Sequence, residues 1–112
     1  MRSDRVASLI AKEISIIISQ EIKDPRLGFV TITKVFVTPD LKEATIYFTT
    51  LGDRKNDLLI LQGAKGFIKT TLAHRIRIKF IPELKFAFDD SFEYGERIDR
   101  LIEETNKDNK KK

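Results

Sequence analysis

Asp57-Leu58-Leu59-Ile60-Leu61-Gln62-Gly63-Ala64-Lys65-Gly66-Phe67-Ile68-Lys69-Thr70-Thr71-Leu72 spells a helix interrupted in its middle. Leu58, Leu61 and Ala64 form an apolar stripe at helical spacing, and Ile68, Leu72 and Ile76 resume it beyond Gly66. A glycine costs a helix interior roughly 1 kcal/mol relative to alanine. Two of them in one buried helical pattern therefore need a reason, either a kink or a close approach of backbone.

Upstream, Val6, Leu9, Ile10, Ile14, Ile17 and Ile18 recur at steps of three and four between Ser3 and Ile22, which predicts a helix with that face in the core. Arg5, Ser8, Lys12 and Ser15 fall on its solvent side. Asp24-Pro25 ends it, because the residue before proline is pushed out of the α region, and Gly28 releases the chain into an extended run. Val30-Thr31-Ile32-Thr33-Lys34-Val35-Phe36-Val37 is rich in β-branched residues and reads as a strand whose apolar phase slips near Lys34, the mark of a bulge. Thr38-Pro39-Asp40-Leu41-Lys42 supplies a turn, and Ala44-Thr45-Ile46-Tyr47-Phe48-Thr49 alternates cleanly, so the two runs pair as an antiparallel hairpin.

Downstream, Ile76, Ile78 and Phe80 alternate with Arg75, Arg77 and Lys79, and Leu84, Phe86 and Phe88 continue the alternation past Pro82. This predicts a third strand ending near Asp89, with Pro82 at an edge or a bulge because it has no amide to donate. Asp90 to Glu104 reads as a last helix with Ile98, Leu101 and Ile102 inward. The sum is α-β-β-α-α-β-α, an α+β fold in two layers with a three-stranded sheet covered on one face by helices. One domain spans residues 1–104, and residues 105–112 form a flexible lysine-rich tail.

The chain has 112 residues, enough for one core without staples, and no cysteine for a disulfide or thiolate metal site. No apolar run is long enough to cross a bilayer, and no apolar signal segment follows Met1, so a cytoplasmic location is expected. The net charge of +4 is modest, but its distribution is not. Residues 63–85 carry six Lys or Arg against one acid, and residues 86–104 carry two bases against seven acids, which suggests a polarised molecule with one basic face.

Catalysis finds little support, with one histidine, no cysteine and no nucleophile motif. His74 reads as a surface side chain among basic residues. The acids Asp89, Asp90, Glu93, Glu96 and Asp99 raise the question of a metal site, but Asp90 and Glu93 suit the positive end of a helix. Glu93 with Arg97 and Glu96 with Arg100 form i,i+4 pairs, so helix stabilisation is the preferred reading. No cofactor, metal or small-molecule substrate is expected.

Gly63-Ala64-Lys65-Gly66 satisfies G-x-x-G, the loop with which KH domains clamp a nucleotide backbone. Two residues without Cβ admit phosphates to the main chain, and Lys65 adds a charge. The element order around it, hairpin before and strand after, is that of the type II KH fold. Lys69, Arg75, Arg77 and Lys79 follow closely, and Arg2 and Arg5 at the amino terminus are weaker candidates. Against the open loop, the isoleucine that KH loops carry three residues after the second glycine falls here at Ile68, two residues after Gly66, a register that favours a kinked helix.

The chain resembles the ribosome-binding factor A family. The resemblance rests on Arg5-Val6, Asp24-Pro25-Arg26-Leu27-Gly28, Val30-Thr31-Ile32-Thr33 with Val35, and Asp40-Leu41 followed by Ala44. It continues through Ala64-Lys65-Gly66-Phe67-Ile68-Lys69, Leu72-Ala73-His74-Arg75-Ile76, Pro82-Glu83-Leu84-Lys85-Phe86 and Asp90-Ser91 to Gly95-Glu96-Arg97-Ile98-Asp99. It implies a KH-type fold in which a kinked helix with an Ala-x-Gly break, here Ala64-Lys65-Gly66, replaces the loop. It also implies a non-enzymatic factor that binds free or precursor small (30S) ribosomal subunits and assists late 16S rRNA maturation, including its 5′ end, with importance in the cold. The chain is then expected to be a monomer with RNA contacts at Arg2, Arg5, Lys65, Gly66, Lys69, Arg75, Arg77 and Lys79. The alternative is a protein-interaction module that uses the sheet surface or the acidic last helix and touches RNA incidentally.

Overall fold

The computed structural model of the chain describes residues 2–91. Six elements follow one another: α1 (Arg2–Gln20), β1 (Val30–Val37), β2 (Glu43–Thr50), α2 (Arg54–Gly63), α3 (Lys65–Arg75) and β3 (Glu83–Phe88). The sheet order is β1-β2-β3. The hairpin β1-β2 is antiparallel, and β3 runs parallel to β2 from Glu43↔Glu83 to Phe48↔Phe88. Asp90 and Ser91 are helical. The rest of the expected last helix, its i,i+4 pairs and the lysine-rich tail lie outside the described residues.

The core lies between this sheet and the helices. Ile10, Ile14, Ile17 and Ile18 of α1 meet Val37, Ala44, Ile46 and Phe48 of the hairpin, with Leu61, Ile68 and Leu72 of the broken helix and Leu84 and Phe86 of β3 completing it. The helical stripe read in α1 thus holds with one exception, since Leu9 is exposed and contributes nothing to that cluster. On the far side of the sheet, Lys34 and Phe36 of β1 are exposed, and the Lys34 ammonium lies 4.7 Å from the Tyr47 ring centroid. The expected bulge is present between Ile32 and Lys34. It lets both Ile32 and Val35 face the core, although strict alternation would turn one of them to solvent.

The third strand is shorter than the alternation in the sequence suggests. β2 begins at Glu43, and its partner Glu83 is where β3 begins, so residues 76–81 have no strand to pair with. The first cross-strand bond runs from the Glu83 amide to the Lys42 carbonyl at 2.8 Å, immediately after the residue that has no amide to give, Pro82. Residues 76–82 form a connection anchored by the buried Ile76 and Pro82 and by Ile78 and Ile81, which pack against the core. Phe80, expected on the apolar side of a strand, is 75% exposed.

The break in the long helix is a kink. Ala64 has φ −89° and ψ 0°, in the sparsely populated bridge region. Its amide still donates to the Ile60 carbonyl at 2.9 Å, and its carbonyl accepts from the Ile68 amide at 2.9 Å, so hydrogen bonding carries through the corner. Neither Gly63 nor Gly66 has a positive φ, and a Cβ on either would meet nothing within 4 Å. Among the described residues, no neighbouring backbone requires these glycines.

Gly28, by contrast, is required by a close approach. A Cβ there would lie 2.8 Å from the Gly52 Cα and 2.8 Å from Asp57 Oδ2. Asp57, in the first turn of α2, is fully buried. It accepts from the Gly28 amide at 3.0 Å and the Thr50 hydroxyl at 2.5 Å, tying together the segment after α1, the end of β2 and the start of α2. Asn56 beside it donates to the Arg26 carbonyl at 2.9 Å.

Candidate nucleic-acid interface

Folding sorts the basic residues of the 63–85 segment by whether a carboxylate already holds them. Arg75, at the end of α3, donates to Glu13 of α1 at 2.6 Å, and Glu13 is only 14% exposed, so this pair clamps two helices. Lys85 on β3 reaches Glu43 on β2 at 3.2 Å. Lys69 and Lys65, one turn apart on α3, both turn to Glu83 at the start of β3, at 3.3 and 3.5 Å. Arg77 and Lys79, on the α3–β3 connection, have no ion pair among the described residues. The acids that neutralise most of this segment thus come from α1 and the strands, and the polarity read along the chain narrows to a smaller area.

That area is a groove of about 710 Å³ at the end of the sheet where β2 and β3 start. Arg2 at the start of α1, Lys42 from the hairpin turn, Lys69, Arg77 and Lys79 line it, against two acids, Asp40 and Glu83. The turn delivers Lys42 through an unusual backbone. Leu41 sits at φ 63°, in the left-handed region that costs a branched residue about 1 kcal/mol. Asp40 holds the turn by accepting from the Thr38 hydroxyl at 2.6 Å and the Lys42 amide at 3.1 Å. Those two bonds, with the Thr38 contribution the larger, hold its carboxyl below the ordinary range.

Of the residues anticipated from sequence, Arg2, Lys69, Arg77 and Lys79 line this groove, and Lys65 adjoins it through Glu83. Arg5 lies on the solvent face of α1, Gly66 is exposed at the first turn of α3, and Arg75 is held by Glu13. Lys42 and Phe80 were not anticipated, because one lay in a turn and the other in an apparent strand. His74 is exposed, as expected. Among the described residues no group of His, Asp or Glu could hold a metal ion, and Asp89 is instead engaged by the Thr33 hydroxyl at 2.5 Å and by Ser91.

The Lys69 and Lys65 ammonium groups, Lys69 foremost, pull the Glu83 carboxyl below its ordinary value of 4.5. A depressed carboxylate stabilises the fold above its ordinary pKa, and the contribution is lost as pH falls through the lowered folded value. At neutral pH Glu83 is therefore ionised and competes with any anion for both lysines. Exposed pairs of this kind are weak and readily exchanged. Glu83→Gln should free both ammonium groups and tighten binding to a polyanion at low salt by roughly fivefold, the scale expected for one removed surface charge. Elution from a heparin column at higher salt than the unaltered protein checks this, and unchanged elution would show that Glu83 does not restrain the lysines.

A second hollow of about 890 Å³ lies on the helical layer, between the end of α1 and the kink. Leu59 and Phe67 are exposed at its rim, with Lys23, Arg26, Glu21 and Asp24 around it. Asp24 accepts from the Arg26 side chain, which holds its carboxyl below the ordinary range. Its charges cancel, so it offers polyanions no comparable attraction.

No helix among the described residues is long and apolar enough to cross a membrane. The crystal structure of ribosome-binding factor A from Thermus thermophilus superimposes with a TM-score of 0.72 at 23% identity, covering 77% of this chain and 93% of that one, which places the fold among KH-like domains. A homology model of the Thermus thermophilus ribosome binding factor A, fitted into a cryo-EM map of its complex with the 30S subunit, matches with a TM-score of 0.61 at 25% identity over 80% of this chain and 92% of that one. A protein of Macrococcus caseolyticus named ribosome-binding factor A is 49% identical over 111 residues, 96% of this chain and 97% of the relative. The family model described as ribosome-binding factor A matches residues 2–102, and the chain belongs to that family.

Proposed function

We propose that this protein binds free or precursor small (30S) ribosomal subunits and assists late maturation of 16S rRNA, including its 5′ end, as a cytoplasmic monomer whose contribution matters most in the cold. It performs no covalent step and needs no cofactor. The observation that carries the reading is the gathering of Arg2, Lys42, Lys69, Arg77 and Lys79 around one groove, in a family with a member fitted into a 30S complex. Lys65 borders that basic area through Glu83, and Gly66, Arg5 and Arg75 enter the reading as weaker contacts.

Binding of this kind releases counterions from RNA. If about four phosphates are neutralised, a fourfold rise in salt weakens association by roughly a hundredfold. The test is co-sedimentation of the purified protein with small subunits across a salt series. Protein that stays at the top of the gradient at low salt would sink the ribosomal reading, and association indifferent to salt would point to the protein-interaction alternative.

A further inference from the structure

We infer that the groove beside the α3–β3 connection takes an unpaired RNA nucleotide, with the base stacked on Phe80 and its flanking phosphates held by Arg77, Lys79 and Arg2. The inference deepens the proposed function and rests on it for the source of the RNA.

The aromatic ring is placed outward by its neighbours. Ile78 and Ile81 turn into the core, Pro82 is buried, and Phe80 between them is left 75% exposed. A phenyl ring held in water on an anchored connection is costly to expose and has little freedom to lose on binding. Several other large apolar side chains are exposed, but Leu59 and Phe67 border a hollow of cancelling charge. Phe80 instead lines the groove where cations outnumber acids.

Charge supplies the complement. Arg77 and Lys79 both precede the ring in sequence and have no ion pair among the described residues, and the Lys79 ammonium lies over the ring, 5.5 Å from its centroid. An exposed aromatic ring in a groove lined by cations is the arrangement that binds single strands, since every base has a face to stack and every linkage a phosphate. A duplex offers phosphates but keeps its bases stacked on one another, so it leaves Phe80 in water. The groove lies at the Glu43–Glu83 end of the sheet, opposite Phe88.

The test uses the full chain and a short single-stranded RNA oligonucleotide, with its fully paired duplex as control. The protein has no tryptophan, so Phe80→Trp introduces a unique fluorophore at the stacking position. Its emission should be quenched by the single strand and little altered by the duplex. Phe80→Ala should weaken single-strand binding roughly tenfold or more while leaving the salt slope unchanged, because every phosphate partner is still present. Full retention by Phe80→Ala together with an unquenched Phe80→Trp would overturn the inference. So would a Phe80→Ala loss seen with small subunits but not with the oligonucleotide, which would mean a protein contact. If the oligonucleotide shows the Phe80 dependence and small subunits do not bind, the inference stands and the proposed function fails.

Discussion

Asp57→Ala should lower the stability of the fold by about 3 kcal/mol, and the thermal midpoint by on the order of 12 °C for a domain of this size. The carboxylate is fully buried, and the substitution leaves the half-buried Gly28 amide and Thr50 hydroxyl without their acceptor. Each such orphan costs about 1–3 kcal/mol. Removing a buried charge offsets part of this, which holds the expectation near the middle of the range. Asp57→Asn keeps the shape and one acceptor, and the Thr50 hydroxyl can rotate to accept from the new amide, so about 1 kcal/mol should be lost. Gly28→Ala attacks the same junction from the other side, with a methyl driven against the Gly52 backbone, which cannot swing away as a side chain tip can. It should cost about 3 kcal/mol. Circular dichroism melts of the three variants test the ranking. An Asp57→Ala midpoint equal to that of the unaltered protein would show that the junction is held by packing alone.

This junction also marks what a linear reading could and could not reach. Elements were legible wherever local periodicity and tertiary packing agreed. The α1 stripe, the hairpin, the bulge before Lys34 and the kink at Ala64 are each written within a few residues. Gly28 was legible as punctuation, but its physical cause is Gly52, 24 positions away in the chain, and no local pattern links them. Asp57 looked like the polar start of a helix, as acids there usually are, and its burial depends on two loops arriving from elsewhere. The alternation from Ile76 to Phe80 imitates a strand because Ile76 and Ile78 do face the core. What decides against pairing is the start of β2 at Glu43, a fact about another segment. For the same reason the site was half visible: the cations were countable, but which of them Glu13, Glu43 and Glu83 would engage was not.

That sorting is what gives Arg77 and Lys79 their expected weight. Replacing both by glutamate should weaken binding to small subunits on the order of a thousandfold at low salt, with about 1 kcal/mol for each cation taken from a phosphate and as much again for each acid set against the RNA. The salt dependence should fall in parallel, the slope of log K against log salt becoming shallower by about 1.8, or 0.9 for each phosphate left unneutralised. The same exchange at Arg75 and Lys85 alters net charge equally but removes side chains already committed to Glu13 and Glu43. It should therefore cost less binding and, through the Arg75–Glu13 clamp between α1 and α3, more stability. Measuring both pairs by co-sedimentation and by thermal melt separates local contact from overall charge. Equal binding losses for the two pairs would mean that the RNA responds to net charge alone, and the groove would lose its claim to be the contact surface. A loss confined to Arg77 and Lys79, with an unchanged melt, is the result expected because those two side chains have no ion pair to give up among the described residues and line the groove with the exposed Phe80 ring.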